Sequence, residues 1–215
     1  MKALELFAGD RSFGKVAEYY GYDVMSIDWQ NFPGIHLAKD IEELTFEDVP
    51  FVPDVVWASP DCTTYTIAAI SHHRNGTEPK SDYAKKCDSV NQHFISMIKV
   101  WLTYNPNLIF FIENPRGMLR KMPWMQEFKR HTVWYCQYGD DRAKPTDIWT
   151  NSTNWIPRRE CHNGNPNCHH QSAPRGSKTG TQGRKGSFER SKIPSQLMED
   201  IVYSTIGKRK LRKAS

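Results

Sequence analysis

Val55-Val56-Trp57-Ala58-Ser59-Pro60-Asp61-Cys62-Thr63-Thr64-Tyr65-Thr66 is the stretch whose reading decides the fold. It opens as a short apolar run with β-branched residues, the composition of a strand buried on both faces. It breaks at Pro60 into a polar loop that carries one cysteine. In α/β sheets ligands bind at the carboxyl ends of the strands, so a thiol in that place is a candidate nucleophile. A lone cysteine is more often a small buried apolar residue. The rest of the chain must therefore supply chemical partners before the thiol is read as reactive.

Working outward, Met1 to Phe7 reads as an apolar strand, and Gly9-Asp10-Arg11-Ser12-Phe13-Gly14 as a turn into a helix reaching about Tyr20, with Ser12 as its cap. Tyr22 to Ile27 reads as a second strand closing on Asp28, with Trp29 beside it. Strand, glycine turn, helix, strand and acid make the first half of a nucleotide-binding α/β unit, in which the acid accepts from ribose hydroxyls. Asp40-Ile41 follows a Gly/Pro-containing loop as a further ligand-facing strand end. Downstream, Ser71-His72-His73-Arg74-Asn75-Gly76 reads as a mobile loop covering a substrate. From about Ser81 to Tyr104 the apolar positions Ala84, Cys87, Val90, Phe94, Met97, Ile98 and Trp101 recur at helical spacing, which makes Cys87 core. Leu108 to Ile112 is a buried strand running straight into Glu113-Asn114-Pro115. Thr132 to Tyr138 and Thr146 to Thr150 read as strands around a loop with Arg142 and Lys144. Ile193-Pro194 opens a closing helix carrying Leu197, Ile201 and Ile206.

At 215 residues, 38% hydrophobic and 12% aromatic, the chain suits one domain with a real core. No apolar run approaches the ~20 residues that span a bilayer, and the N-terminus lacks a signal-peptide pattern. The expectation is a cytoplasmic protein with no membrane partner, acting as a monomer. Five cysteines without framework spacing fit a reducing compartment. The net charge of +5 is unevenly spread. Lys208, Arg209, Lys210, Arg212 and Lys213 form an acid-free tail. Arg158, Arg159, Arg175, Lys178, Arg184, Lys185, Arg190 and Lys192 face only Glu160 and Glu189, which leaves the rest of the chain net acidic. Positive charge gathered at one end suits a polyanion. In the same region Cys161, His162, Cys168 and His169 could hold a structural zinc as a Cys2His2-like set, although their spacing matches no standard finger.

In this order the motifs resemble those of the DNA (cytosine-5)-methyltransferases, particularly the short members found in bacteriophage genomes. Phe7-Ala8-Gly9 is similar to the family's S-adenosylmethionine loop, and Ser59-Pro60-Asp61-Cys62 to its catalytic Pro-Cys loop. Glu113-Asn114 is similar to the pair that recognises the target cytosine. Gln137 with Arg142 and Lys144 loosely resembles the Gln-Arg-Arg strand, and Ile193-Pro194-Ser195-Gln196-Leu197 the last motif, whose helix returns to the cofactor pocket. The resemblance implies an α/β, Rossmann-like S-adenosylmethionine-dependent methyltransferase fold. It implies Cys62, Glu113 and Arg142 as catalytic residues. Phe7, Ala8, Gly9, Asp28, Trp29, Asp40 and Pro60 would be cofactor-binding, and Asn114, Lys144, Arg175 and Lys178 substrate-binding.

Carbon 5 of cytosine is a poor nucleophile. In the mechanism the resemblance implies, the thiolate adds to carbon 6 and makes carbon 5 enamine-like, while Glu113 holds the N3 edge and Arg142 the O2 side. In a duplex the base must be flipped out. Two departures from the family pattern stand out. Asp61 occupies the place of a second proline, adding flexibility and a negative charge beside the thiol. There is also no room for a large target-recognition domain. A small basic segment replaces it, giving a core at 1–155, a Cys/His-containing nucleic-acid-contact segment at 156–192, and a closing helix with basic tail at 193–215. Low or short sequence specificity on single- or double-stranded DNA is expected. RNA, nucleotides or a modified cofactor remain open for the same fold, as does a catalytically weak nucleic-acid-binding protein.

Overall fold

The structure is a computed structural model that describes residues 1–171 and 186–206. The deciding stretch forms β4 (Val55–Ala58), and all four of its residues are buried. Val55 and Trp57 pack into one apolar layer and Val56 and Ala58 into the other, as the two-residue period of a doubly covered strand requires. Around it lie β1 (Lys2–Leu6), α1 (Ser12–Tyr19), β2 (Asp23–Asp28), β3 (Leu37–Ala38), α2 (Ile70–His73), β5 (Arg74–Asn75), β6 (Glu78–Pro79), α3 (Asp82–Tyr104), β7 (Ile109–Pro115), β8 (Arg130–Trp134), β9 (Pro145–Thr150), α4 (Ser187–Ser191) and α5 (Ser195–Thr205).

The main sheet has the order β3-β2-β1-β4-β7-β9-β8. Strands β3, β2, β1, β4 and β7 are parallel neighbours. β9 then enters antiparallel between β7 and β8. Up to β7 this is the doubly wound arrangement, whose ligand crevice opens where the chain reverses direction across the sheet, here between β1 and β4. One face is covered by α3, whose Phe94, Ile98 and Trp101 pack with Leu4, Val56 and Ile112. The other is covered by α1 and α5, where Phe13, Leu197 and Ile201 pack with Trp57, Phe111 and Ile148. Phe13 lies stacked on Trp57, ring centroids 5.7 Å apart. Among the described residues no helix is long and apolar enough to cross a membrane.

Three local expectations change. Ser12 is not the cap of α1: its hydroxyl donates to Asp10 (2.6 Å). Buried Glu5 takes the cap's place from the preceding strand, with Oε1 accepting from the amides of Phe13 and Gly14, both 3.0 Å. A Cβ at position 14 would stand 2.5 Å from the same carboxylate, so only glycine fits there. The strand expected over Thr132 to Tyr138 stops at Trp134, and Tyr135–Tyr138 winds into a 3-10 turn. The loop expected over Ser71 to Gly76 is a short helix, α2, running into the β5–β6 hairpin, and it is anchored at its base. Arg74 is buried and donates to both oxygens of Asp88 (2.5 and 3.0 Å) and to the Thr64 carbonyl (3.0 Å), while Asp88 also accepts from Tyr65 Oη (2.6 Å).

Candidate active site

The loop after β4 is held from three sides. Asn114, at the end of β7, donates from Nδ2 to the Pro60 carbonyl (2.9 Å). The carbonyl of Tyr65 accepts from the Met118 amide (2.7 Å), and a Cβ on Gly117 would lie 2.3 Å from that oxygen, so the approach is open only to glycine. Asp61 closes the third side: Oδ1 accepts from the Thr63 amide (2.5 Å) and Oδ2 from Tyr83 Oη on α3 (2.6 Å). Cys62 sits within this frame, half-buried.

Burial pushes the Cys62 thiol up to about 11; nearby Lys144 opposes the rise, while Asp61 and Glu113 add to it. Glu113 is buried and raised above the ordinary carboxylate range, chiefly by burial against the pull of Lys144. Its Oε1 accepts from Tyr135 Oη (3.0 Å). Lys144 is buried as well; burial lowers its ammonium and Glu113 raises it. Its Nζ lies 4.7 Å from the centroid of the Tyr135 ring and donates to the Arg190 carbonyl (2.9 Å). Its backbone is left-handed, with φ 20°. The thiol, the carboxyl and the ammonium thus form one electrostatic group at the ends of β4, β7 and the turn before β9.

The structure gives two of the expected site residues partners within the protein. Arg142 is fully buried, and its guanidinium is consumed by Asp140 (2.8 and 2.5 Å) and by the carbonyls of Arg190 (3.1 Å) and Lys192 (2.9 Å). It ties the turn to the segment before α5, and Lys144 is the cation at the thiol. Asn114 is equally enclosed and donates its Nδ2 to the Pro60 carbonyl, which positions the loop, while its Oδ1 is buried with no hydrogen-bond partner. Arg175 and Lys178 lie outside the described residues, as does the basic tail.

The cofactor-side residues converge at the ends of β1, β2 and β3. Phe7 takes a positive φ of 56° and packs edge-on against Phe94 at 5.4 Å, turning the chain out of β1. Ala8 donates its amide to the Ile27 carbonyl (3.1 Å). Asp28 is buried: Oδ2 accepts from the Gly9 amide (2.9 Å) and Oδ1 from Gln30 (2.9 Å), so one carboxylate sets both loops and keeps lone pairs to spare. Burial alone would raise the Asp40 carboxyl, but Lys86 (2.6 Å) and the Glu42 amide (3.1 Å) hold it below its ordinary value. Trp29 is 68% exposed, an apolar plate beside Asp28.

The set expected to bind metal is rearranged. The structure gathers Cys136, Cys161, Cys168 and His170, whose ligand atoms lie within 4.8 Å of one another. His169 is turned away, its Nε2 paired with the Asp140 carbonyl (3.0 Å), and His162 is outside the group. Cys136 was hidden from sequence reading because it lies in a stretch that alternates like a strand, 25 residues from Cys161. Tyr135, the donor to Glu113, was hidden for the same reason. Glu5 gave no signal beyond being an acid inside an apolar strand.

The sheet order and its crevice are those of a Rossmann-like α/β fold. A solved Entamoeba histolytica methyltransferase, EhMeth, superposes with a TM-score of 0.52 at 14% identity, covering 75% of this chain and 56% of that one. The Schizosaccharomyces pombe Dnmt2 methyltransferase gives 0.48 at 18% identity, over 70% of this chain and 49% of that one. The chain therefore spans about half the length of these solved proteins. It is also similar in sequence, nearly end to end, to a Frog virus 3 (isolate Goorha) protein described as "Probable DNA (cytosine-5)-methyltransferase", at 24% identity over 94% of this chain and 99% of the viral one. No protein-family model matches the chain.

Proposed function

We propose that the protein transfers a methyl group from S-adenosylmethionine to carbon 5 of cytosine in DNA, with Cys62 as the nucleophile. The observation that carries this reading is the grouping of Cys62, Glu113 and Lys144 beside a nucleotide-type crevice. The crevice suits the cofactor on its own chemistry. The side of Gly9 faces open space, Asp28 and Asp40 offer acceptors at successive strand ends, and Trp29 offers an exposed aromatic face for a purine. When bound, S-adenosylmethionine supplies an electrophilic methyl group.

The chain's own residues do the rest. The Cys62 thiol gives up its proton to solvent as its sulfur bonds to carbon 6; the pair of the 5,6 double bond shifts to the 4,5 position and the 3,4 pair moves onto N3. Glu113, raised by burial, is the proton-bearing partner for N3 and withdraws that charge. Lys144 stabilises the thiolate as it forms and then the O2 side of the ring. Once carbon 5 carries the new methyl, a base takes the carbon 5 proton, the 5,6 double bond reforms as the carbon–sulfur bond breaks, the N3 proton returns to Glu113, and the released thiolate takes up a proton. Asn114 and Asp61 position the loop throughout. We assign residues 1–155 and the closing helix to this core, and 156–192 to DNA contact on the strength of its basic composition.

The test is transfer of labelled methyl from the cofactor to DNA, RNA and free nucleotides in parallel. Label in DNA that disappears in Cys62→Ala is the expected result. Equal incorporation by both proteins, or label confined to RNA or nucleotides, would overturn the assignment.

A further inference from the structure

We infer that Cys136, Cys161, Cys168 and His170 bind one zinc ion, and that this ion fastens the start of the basic segment to the back of the active site. The set comes from two distant parts of the chain. Cys136 sits in the turn after β8, and the other three lie in the loop that leads away from Trp155. Their ligand atoms all fall within 4.8 Å of one another, and Cys161 Sγ is 3.9 Å from His170 Nδ1. Four ligands at ~2.0–2.3 Å around a tetrahedral centre stand about 3.5–3.8 Å apart, so only a small contraction closes the shell.

The chemistry of the donors and their surroundings points to zinc. Three thiols and one imidazole form a closed structural set for that ion. Cys136, Cys161 and His170 are buried, and Trp134 and Ala143 pack around the sulfurs. Side-chain amides already face the sulfurs: Gln137 Nε2 is 3.6 Å from both Cys136 Sγ and Cys168 Sγ, and Asn165 Nδ2 is 3.4 Å from Cys161 Sγ. Such N–H donors are the outer partners that stabilise metal-bound thiolates. All five cysteines of the chain are free, so the cluster is not spent on a disulfide.

Its placement gives the ion a task. Cys136 follows Tyr135, the donor to Glu113, and Ala143 stands between Arg142 and Lys144. The same loop is sewn to the active-site turn by His169 on the Asp140 carbonyl and by the Gln171 amide on the Asp141 carbonyl (2.8 Å). Binding metal there would brace the turn that presents Lys144 and fix where the basic segment departs. The basic segment would gain a rigid base from a few residues and one ion.

The test uses the full-length, reduced protein expressed in zinc-supplemented medium. Elemental analysis is expected to give about one zinc per chain, and replacement by Co(II) to give the visible d–d bands of a tetrahedral thiolate site. Cys161→Ser and His170→Ala are each expected to lower the zinc content at least five-fold. His162→Ala and His169→Ala are expected to retain it, which separates this ligand set from the one suggested by adjacency in sequence. Chelation should lower Tm and open the 156–171 loop to protease. Less than a tenth of a zinc per chain with no Co(II) bands overturns the site. So does loss of zinc in His162→Ala or His169→Ala with full retention in His170→Ala. None of these readouts depends on methyl transfer, so they stand or fall apart from the proposed reaction.

Discussion

Asp61 gives the sharpest test of how the nucleophile is tuned. Its carboxylate raises the neighbouring thiol, yet both its oxygens hold the loop, one on the Thr63 amide and one on Tyr83 Oη. Asp61→Asn removes the charge and keeps an acceptor. With an effective dielectric of about 40 for an exposed site and a separation on the order of 7 Å, the lost repulsion is about 1.2 kcal/mol. That corresponds to a fall of about 0.9 in the thiol pKa, or about eight times more thiolate at pH 8. A less basic thiolate is also less nucleophilic, and a Brønsted slope of about 0.45 returns part of the gain, leaving alkylation about three-fold faster. The assay is iodoacetamide modification of the Cys62 peptide followed by mass spectrometry from pH 7 to 11, at low and high salt. The wild-type and Asn curves should converge as salt screens the exposed charge. An unchanged or higher thiol pKa in a folded Asp61→Asn protein would refute the reasoning. Asp61→Pro, the change toward the family pattern, loses both hydrogen bonds and is expected to gain less than Asn.

Three further outcomes follow from the same contacts. Glu5 is raised to about 7 from an ordinary 4.5, so the folded state binds more protons than the unfolded one between those values. Its contribution is fully present below pH 4.5 and is lost as pH rises to 7, by about 3 kcal/mol. Urea titrations should therefore show Glu5→Gln gaining stability relative to wild type across that window, and a constant difference would contradict the burial argument. Arg142→Met leaves Asp140 buried without its cation and should cost about 3–5 kcal/mol, read as a lower urea midpoint; an unmoved midpoint would return Arg142 to a purely catalytic role. Asn114→Ala unpairs the Pro60 carbonyl, at about 1–3 kcal/mol. It should lower kcat while calorimetric cofactor affinity holds, and a selective loss of cofactor affinity instead would place Asn114 elsewhere in the mechanism.

The parts of this molecule that were legible in sequence are those governed by short-range pattern. Alternation in β4, helical spacing in α3 and the apolar run of β7 follow from burial on known periods, and each ends where a polar residue meets the sheet edge. The residues at those edges were therefore found. What was not legible depends on contacts across long separations. Arg142 and Lys144 are two positions apart with similar chemistry, and only the turn's backbone decides which one faces Asp140 and which faces Cys62. Cys136 looked like a strand residue because nothing nearby in sequence announces His170. Glu5 caps a helix that begins after an intervening loop, where local rules favour Ser12.

The raised thiol can be reconciled with catalysis by asking when the thiolate is needed. At pH 7.5 a thiol of pKa about 11 is ionised about once in three thousand molecules, a cost of about 5 kcal/mol. Carrying a permanent thiolate would remove that cost, but it would also lower the intrinsic nucleophilicity of the sulfur and expose it to oxidation between turnovers. The free site instead holds the proton on sulfur by burial. Lys144, the cation that opposes the rise, is shared with Glu113. In the proposed reaction a cytosine bound beside Cys62 and Glu113 would change that balance, because Glu113 would pass its proton to N3 as the sulfur attacks and the charge on the ring would be neutralised as it forms. The two raised groups then assist each other only in the presence of the base. This coupling makes a definite demand: Glu113→Gln, which can donate but not transfer a proton, should slow methyl transfer far more than it slows iodoacetamide alkylation of free Cys62. Equal slowing of both would show that Glu113 acts on the thiol alone.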